Sequence, residues 1–194
     1  MRQILFSALA LLLLAAAPQP PQPHAVATFA GGCFWCMEGP FDKLPGVIST
    51  TSGYTGGTKA NPTYEEVSNG GTGHRESVEV VYDPRKVTYA QLLDTFWHNV
   101  DPTDNSGQFC DHGSQYRSAI FYHDAEQKRL AEASKAALEK RFRVATDILP
   151  ASPFWRAEEY HQDYYKKNPI RYHFYRFNCG RDQRLEQIWG KAAH

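Results

Sequence analysis

Two strand-like segments, Val47 to Tyr54 and Glu76 to Tyr82, follow one another with no helical segment between them. A strand and a helix precede the pair, and a helix and a strand follow it. This order predicts an α+β fold: a two-layer α/β sandwich with a mixed sheet and a ferredoxin-like (split βαβ) core. The first strand spans Ala25 to Ala30 and turns at Gly31-Gly32 into a helix over Cys33 to Leu44, where Phe34, Met37, Phe41 and Leu44 recur at helical spacing until Gly39-Pro40 perturbs it. In Glu76 to Tyr82, Val78 and Val80 alternate with Ser77 and Glu79, the period of a half-buried strand. Thr88-x-x-Gln91 opens a helix to Val100 whose Phe96 and Trp97 face the core. Tyr116 to Tyr122 reads as a strand, Asp124 to Phe142 as the longest helix, Val144 to Leu149 as the last strand and Pro153 to Tyr165 as a short aromatic-rich helix.

The N-terminus has a different character. Arg2 precedes an apolar run from Ile4 to Ala17, too short for a membrane anchor, and PQPPQP at 18 to 23 cannot continue a helix. Residues 1–25 are therefore expected to be a signal peptide and Pro-rich linker, cleaved between Ala16 and Ala27, and 26–194 a single catalytic domain. The expected product is exported, periplasmic or extracellular, monomeric, and without stable membrane association after cleavage. A formal net charge of zero gives no field to attract nucleic acid.

Four cysteines in an exported chain suggest two structural bridges, but a domain of this size does not need them. Cys33-x-x-Cys36 has the spacing of half a zinc site, yet Cys110, His112 and Cys179 supply no second close pair, so no metal is expected. The spacing also suits a thioredoxin-like dithiol, although Phe34 and Trp35 would crowd an approaching protein disulfide. The remaining reading makes Cys33 a nucleophile, its thiolate favoured by the expected helix N-terminus. Cys36, one turn further on, is then a small buried hydrophobe. Phe34 and Trp35 are core residues or the wall for a small apolar group such as an S-methyl.

Three long loops are expected, over 53–74, over 99–115 and from Lys167 onward. Glu76 ends GGTGHRE and Tyr116 lies in GSQYRS, each where a loop meets a strand. His74 and His112 read as hydrogen-bonded loop histidines. His161, Tyr164 and Tyr165 are expected to pack beside the site, with Tyr172 lining it.

Taken together, GGCFWCMEGPF at 31–41, GYTGG at 53–57, NPTYEEV at 61–67, TGHRESVEVVYDP at 72–84, GSQYRSAIF at 113–121 and EEYHQDYYKKNP at 158–169 resemble the A-type peptide methionine sulfoxide reductases. The resemblance implies reduction of methionine S-sulfoxide, free or in proteins. It implies that Cys33 attacks the sulfoxide sulfur and becomes a sulfenic acid, that Phe34 and Trp35 hold the methyl group, and that Glu76, with Tyr64 and Tyr116, binds and protonates the oxygen. Asp111 would organise the polar side of the pocket. Cys179, in FNCG, would resolve the sulfenic acid as a disulfide, with Cys110 and Cys36 as alternatives. Family members with glycine-rich tails carry two cysteines there; here 181–191 reads as a short charged helix, so a single resolving step is expected. No cofactor is implied beyond reducing equivalents from thioredoxin or a thioredoxin-like donor.

Overall fold

The computed structural model describes residues 24–191; the expected leader and most of the linker lie outside them. The elements run β1 (Ala25–Ala30), α1 (Trp35–Asp42), β2 (Val47–Thr55), α2 (Tyr64–Ser68), β3 (Arg75–Tyr82), α3 (Tyr89–His98), β4 (Gly107–Gln108), β5 (Asp111–His112), β6 (Ala119–Tyr122), α4 (Ala125–Leu138), β7 (Asp147–Pro150), β8 (Trp155–Arg156), α5 (Tyr164–Lys167), α6 (Pro169–Asn178) and α7 (Arg181–Trp189). Six strands form one sheet in the order β7-β6-β1-β3-β2-β8. Only β6 and β7 pair in parallel, so the sheet is mixed, and β1 and β2 run in the same direction with β3 between them.

Strand alternation decides which side chains are dry. Ala27 and Phe29 of β1, with Val78 and Val80 of β3, meet Met37, Phe41, Leu92 and Phe96 from α1 and α3. The Phe29 ring lies 5.1 Å from Phe41 and 5.2 Å from Phe96, centroid to centroid. Ala30, Ala119 and Phe121 form a smaller buried cluster with Leu149 against it. The capping pair before α3 forms in both directions, Thr88 accepting from Gln91 N–H and Gln91 from Thr88 N–H. Among the described residues no helix is long and apolar enough to cross a membrane.

The expected helix over Pro153 to Tyr165 is not formed. Trp155 and Arg156 instead add the edge strand β8, pairing with Tyr54 and Gly53. A 3-10 turn at Glu159–His161 follows, and Asp163 adopts a left-handed conformation, φ 53°. Gln162 explains the break: its amide accepts from Ser52 N–H at 2.9 Å and donates to Ser52 O at 2.9 Å, completing the sheet edge as a strand residue would. The tail beyond Lys167 is also not a loop, because Pro169 opens α6 at a position where a missing N–H costs nothing.

Candidate active site

The tight turn after β1 requires its glycines. A Cβ on Gly31 would lie 2.6 Å from Met37 Sδ, and one on Gly32, at φ +81°, 2.6 Å from Gln108 Cβ. This turn places Cys33 at the end of the sheet, 6 % exposed. The helix begins later than its spacing suggests: Phe34 caps α1 and Cys33 precedes the cap. The Phe34 N–H donates to Glu76 Oε2 at 3.1 Å. The dipole-stabilised thiolate expected at Cys33 is therefore not what the resting site holds. Burial first, then hydrogen bonding to Cys36 and the neighbouring Glu76 charge, push the Cys33 thiol well up.

Cys36 departs from the inert role its position suggested. It is buried, but the hydrogen bond from Cys33, with Arg181 and Arg176 nearby, outweighs desolvation and draws its thiol down to about 6. In the pair, Cys33 holds the proton and Cys36 the negative charge. Arg181 is itself 2 % exposed, donating to Asn99 O at 2.6 Å, Gly31 O at 3.1 Å and Met37 Sδ at 3.1 Å. Replacing it with Met leaves the two carbonyls without this donor and should cost about 3 kcal/mol in urea unfolding. The same variant should move Cys36 alkylation to higher pH, an effect a purely structural role would not produce.

Glu76 is buried because of the strand period: it shares the face of Val78 and Val80, at the end of β3 where the helix layer gives way to the loops. Desolvation outweighs the Phe34 N–H bond and, with Asp111 and Cys36 nearby, pushes its carboxyl up to about 8. Beside a protonated Cys33 it is an acid rather than an anion at neutral pH. Tyr64, in the first turn of α2, is half-buried, and desolvation with the charges of Glu76 and Cys33 pushes its phenol up to about 12. Tyr116, in a 3-10 turn, is raised by burial and by Glu76, Tyr64, Asp111 and Cys33. Both phenols remain hydrogen-bond donors at neutral pH. Asp111 accepts from the Tyr175 hydroxyl, while burial raises its carboxyl.

The late aromatic segment encloses the site in a way its residue types only partly foretold. Trp35 stacks on Tyr164 at 3.7 Å and donates its indole N–H to His161 Nδ1 at 3.0 Å. That bond puts the ring proton of neutral His161 on Nε2, and burial lowers its pKa to about 4. The His161 ring lies 4.9 Å from Phe34 and 4.4 Å from Tyr64, centroid to centroid. Glu158, not singled out from the sequence, accepts from Tyr64 N–H at 2.8 Å and from the Tyr54 hydroxyl at 2.8 Å. Tyr172 and Tyr165, expected at the pocket, line a separate cleft of about 690 Å³ between α1, α3 and α6; it is Tyr175 that reaches Asp111. His74 fills its expected loop role, accepting from Gly57 N–H at 3.1 Å.

Cys179 caps α6 and is bonded to Cys110, 69 residues away. Cys179, the expected resolver, is thus joined to Cys110, the alternative resolver, while Cys33 is free. Cys110 is exposed, Cys179 half-buried, and both sulfurs lie within 4.8 Å of an Asp111 carboxylate oxygen. Cys33 and Cys36 are free. The chain thus holds a shielded dithiol and an outer disulfide, with Asp111, whose charge acts on Cys33, beside the outer pair.

A family model described as peptide methionine sulfoxide reductase matches residues 25–193. A Bacillus licheniformis protein named peptide methionine sulfoxide reductase is 55 % identical over 174 residues, 88 % of this chain and 96 % of that one. The structure superposes on reduced Mxr1 from Saccharomyces cerevisiae with a TM-score of 0.72 at 34 % identity, over 79 % of this chain and 90 % of that one. The yeast protein in complex with Trx2 matches with a TM-score of 0.52 at 26 % identity, over 76 % of this chain and 89 % of that one. Matched from its first described strand to its C-terminal residues, the chain belongs to the peptide methionine sulfoxide reductase family.

Proposed function

We propose that the protein reduces methionine S-sulfoxide, free or in proteins, and so repairs oxidised proteins. The observation that carries this reading is the buried Glu76 carboxyl, pushed up by that burial and joined through Phe34 N–H to the turn bearing Cys33. A sulfoxide oxygen leaves only as it gains a proton. Glu76 supplies that proton, Tyr64 and Tyr116 donate to the same oxygen, Asp111 holds the polar side through Tyr175, and Phe34 and Trp35 take the methyl group. Cys33 attacks the sulfur. The methionine sulfoxide and the Cys33 thiol become methionine and a Cys33 sulfenic acid, the oxygen passing to the cysteine. The S preference rests on family membership.

Resolution uses the remaining thiols. Cys179 condenses with the sulfenic acid and releases water, Cys110 then displaces Cys33 from Cys179, and the oxidising equivalents end on the exposed Cys110–Cys179 pair. A dithiol reductant of the thioredoxin class restores it. A second reading, favoured by the Cys33–Cys36 hydrogen bond, has Cys36 attack the sulfenic acid first. Reduced protein mixed with racemic methionine sulfoxide and mapped by mass decides between them. Cys179→Ser should release one methionine per chain and then stop; continued turnover would remove Cys179 from the cycle, and a Cys33–Cys36 disulfide in that variant would establish the second reading.

The remaining features of the chain fit this role. The strand order β6-β1-β3-β2, with helices α1 and α3 between sequential partners, supports the ferredoxin-like assignment. Residues 1–25 read as a cleaved leader and Pro-rich linker, which makes the product exported, and the mature domain is read as a monomer. The pairing of Ala25, Val26 and Ala27 with Tyr82, Val81 and Val80 supports a cleavage point early in the expected span between Ala16 and Ala27.

A further inference from the structure

We infer that the outer cysteine pair, once reduced, forms a binding site for a thiophilic divalent cation, with Cys110, Cys179 and Asp111 as ligands. In the oxidised chain their three ligand atoms already lie within 4.8 Å of one another. Tetrahedral zinc, with bonds of about 2.3 Å to sulfur and about 2.0 Å to oxygen, needs ligand atoms roughly 3.5 to 3.8 Å apart. The two sulfurs are bonded to each other in the oxidised chain, so reduction has to part them to that spacing, while the Asp111 carboxylate already lies beside both. Two thiolates and one carboxylate suit zinc better than magnesium or calcium, which take oxygen ligands. Exposure of Cys110 leaves the fourth position to water. Tyr175 donates to Asp111 and orients it, as outer-shell partners of metal ligands do. Cys33 and Cys36 are not part of this set.

Occupancy depends on redox state. Reduction of the Cys110–Cys179 bond by a dithiol adds two electrons and two protons, and binding of Zn²⁺ then releases two thiol protons to solvent. The oxidised pair offers no thiolate. Cation binding itself stands apart from the catalytic reading; its consequence for turnover rests on that reading, because a cation held by both outer thiols blocks resolution after the first methionine.

The test uses full-length protein, reduced with a phosphine or left oxidised, titrated with Zn²⁺ against a chromophoric chelator. Reduced protein should take up one zinc at least about a hundredfold more tightly than oxidised protein. Tyr175→Phe should weaken binding about tenfold, and Cys110→Ser more than that, whereas Cys33→Ser should bind as the wild type does. Equal affinity in the two redox states overturns the site, as does loss of binding in Cys33→Ser with retention in Cys110→Ser. Cobalt at the site should show a thiolate charge-transfer band that Cys110→Ser weakens, so a merely misfolded variant is recognised by its circular dichroism. If zinc binds as described but steady-state reduction continues undiminished, the relay role of the pair fails while the site stands.

Discussion

Cys33→Ser should remove sulfoxide reduction altogether, in single-turnover as well as steady-state experiments, by about 10⁴-fold or more. No other sulfur can take over. Cys36 is 1 % exposed, with the Arg181 and Arg176 charges near it. The measurement is methionine released per chain from reduced protein, with free thiols counted in parallel to show that the serine variant retains the other three. A burst of one methionine from this variant would place the nucleophile elsewhere. The hydroxyl replaces a sulfur that is already protonated in the resting site, so the variant should fold normally.

Glu76→Gln separates chemistry from stability because the two effects have opposite signs. The amide cannot give up a proton, and the chemical step should slow by about 10² to 10³, with substrate affinity changed much less. In the wild type the single-turnover rate should fall as pH rises past about 8, the value to which burial lifts this carboxyl. That limb should vanish in the variant. For stability, the folded-state value lies above the 4.5 of the free side chain, so the proton is bound more tightly by the folded state. Its stabilising contribution is complete below about 4.5 and is lost as pH rises through about 8. Each tenfold in proton affinity is about 1.4 kcal/mol, so above pH 8 the variant should be more stable than the wild type by a few kcal/mol in denaturant melts, and near pH 4 about equal. Glu38, 1 % exposed and raised to about 7 mainly by burial, has the same sign, so the variant keeps part of the wild-type slope. A variant less stable than the wild type at pH 9 would mean that the fold favours the Glu76 carboxylate over the acid, and that burial has not raised it.

Particular residues show how far the chain could be read in advance. The alternation of Val78 and Val80 marked the strand, while Glu76 read by itself as a solvated strand-end acid, and its place in the pocket came only from the family resemblance; Thr88 with Gln91 marked the start of α3 to the residue. The α+β class and the mixed sheet followed from the succession of periods. The failures have local causes. Helical spacing runs through Cys33, but the amide that could have served its sulfur is taken by a carboxylate 42 positions away. Pro153 to Tyr165 has the apolar content of a helix, but Gln162 and Trp155 spend it on the sheet edge. In α6, Ile170, Phe174 and Phe177 are 71 to 85 % exposed while Tyr172 is buried, so the apolar face that marks most helices is inverted here. The pairing of Cys110 with Cys179 spans 69 residues, a relation that no spacing rule reaches.

Glu158 accepts from the Tyr54 hydroxyl on one side and from the Tyr64 amide on the other, and both donors lie more than ninety positions earlier. The reaction chamber is therefore closed by its own late-synthesised portion. A ribosome-bound polypeptide that has not yet emerged past this carboxylate has its nucleophile and its acid in hand but no assembled wall around them. Competence arrives only when the segment bearing Glu158 has packed against Tyr54 and Tyr64, so a half-made molecule cannot spend a sulfenic acid it has no means to recover.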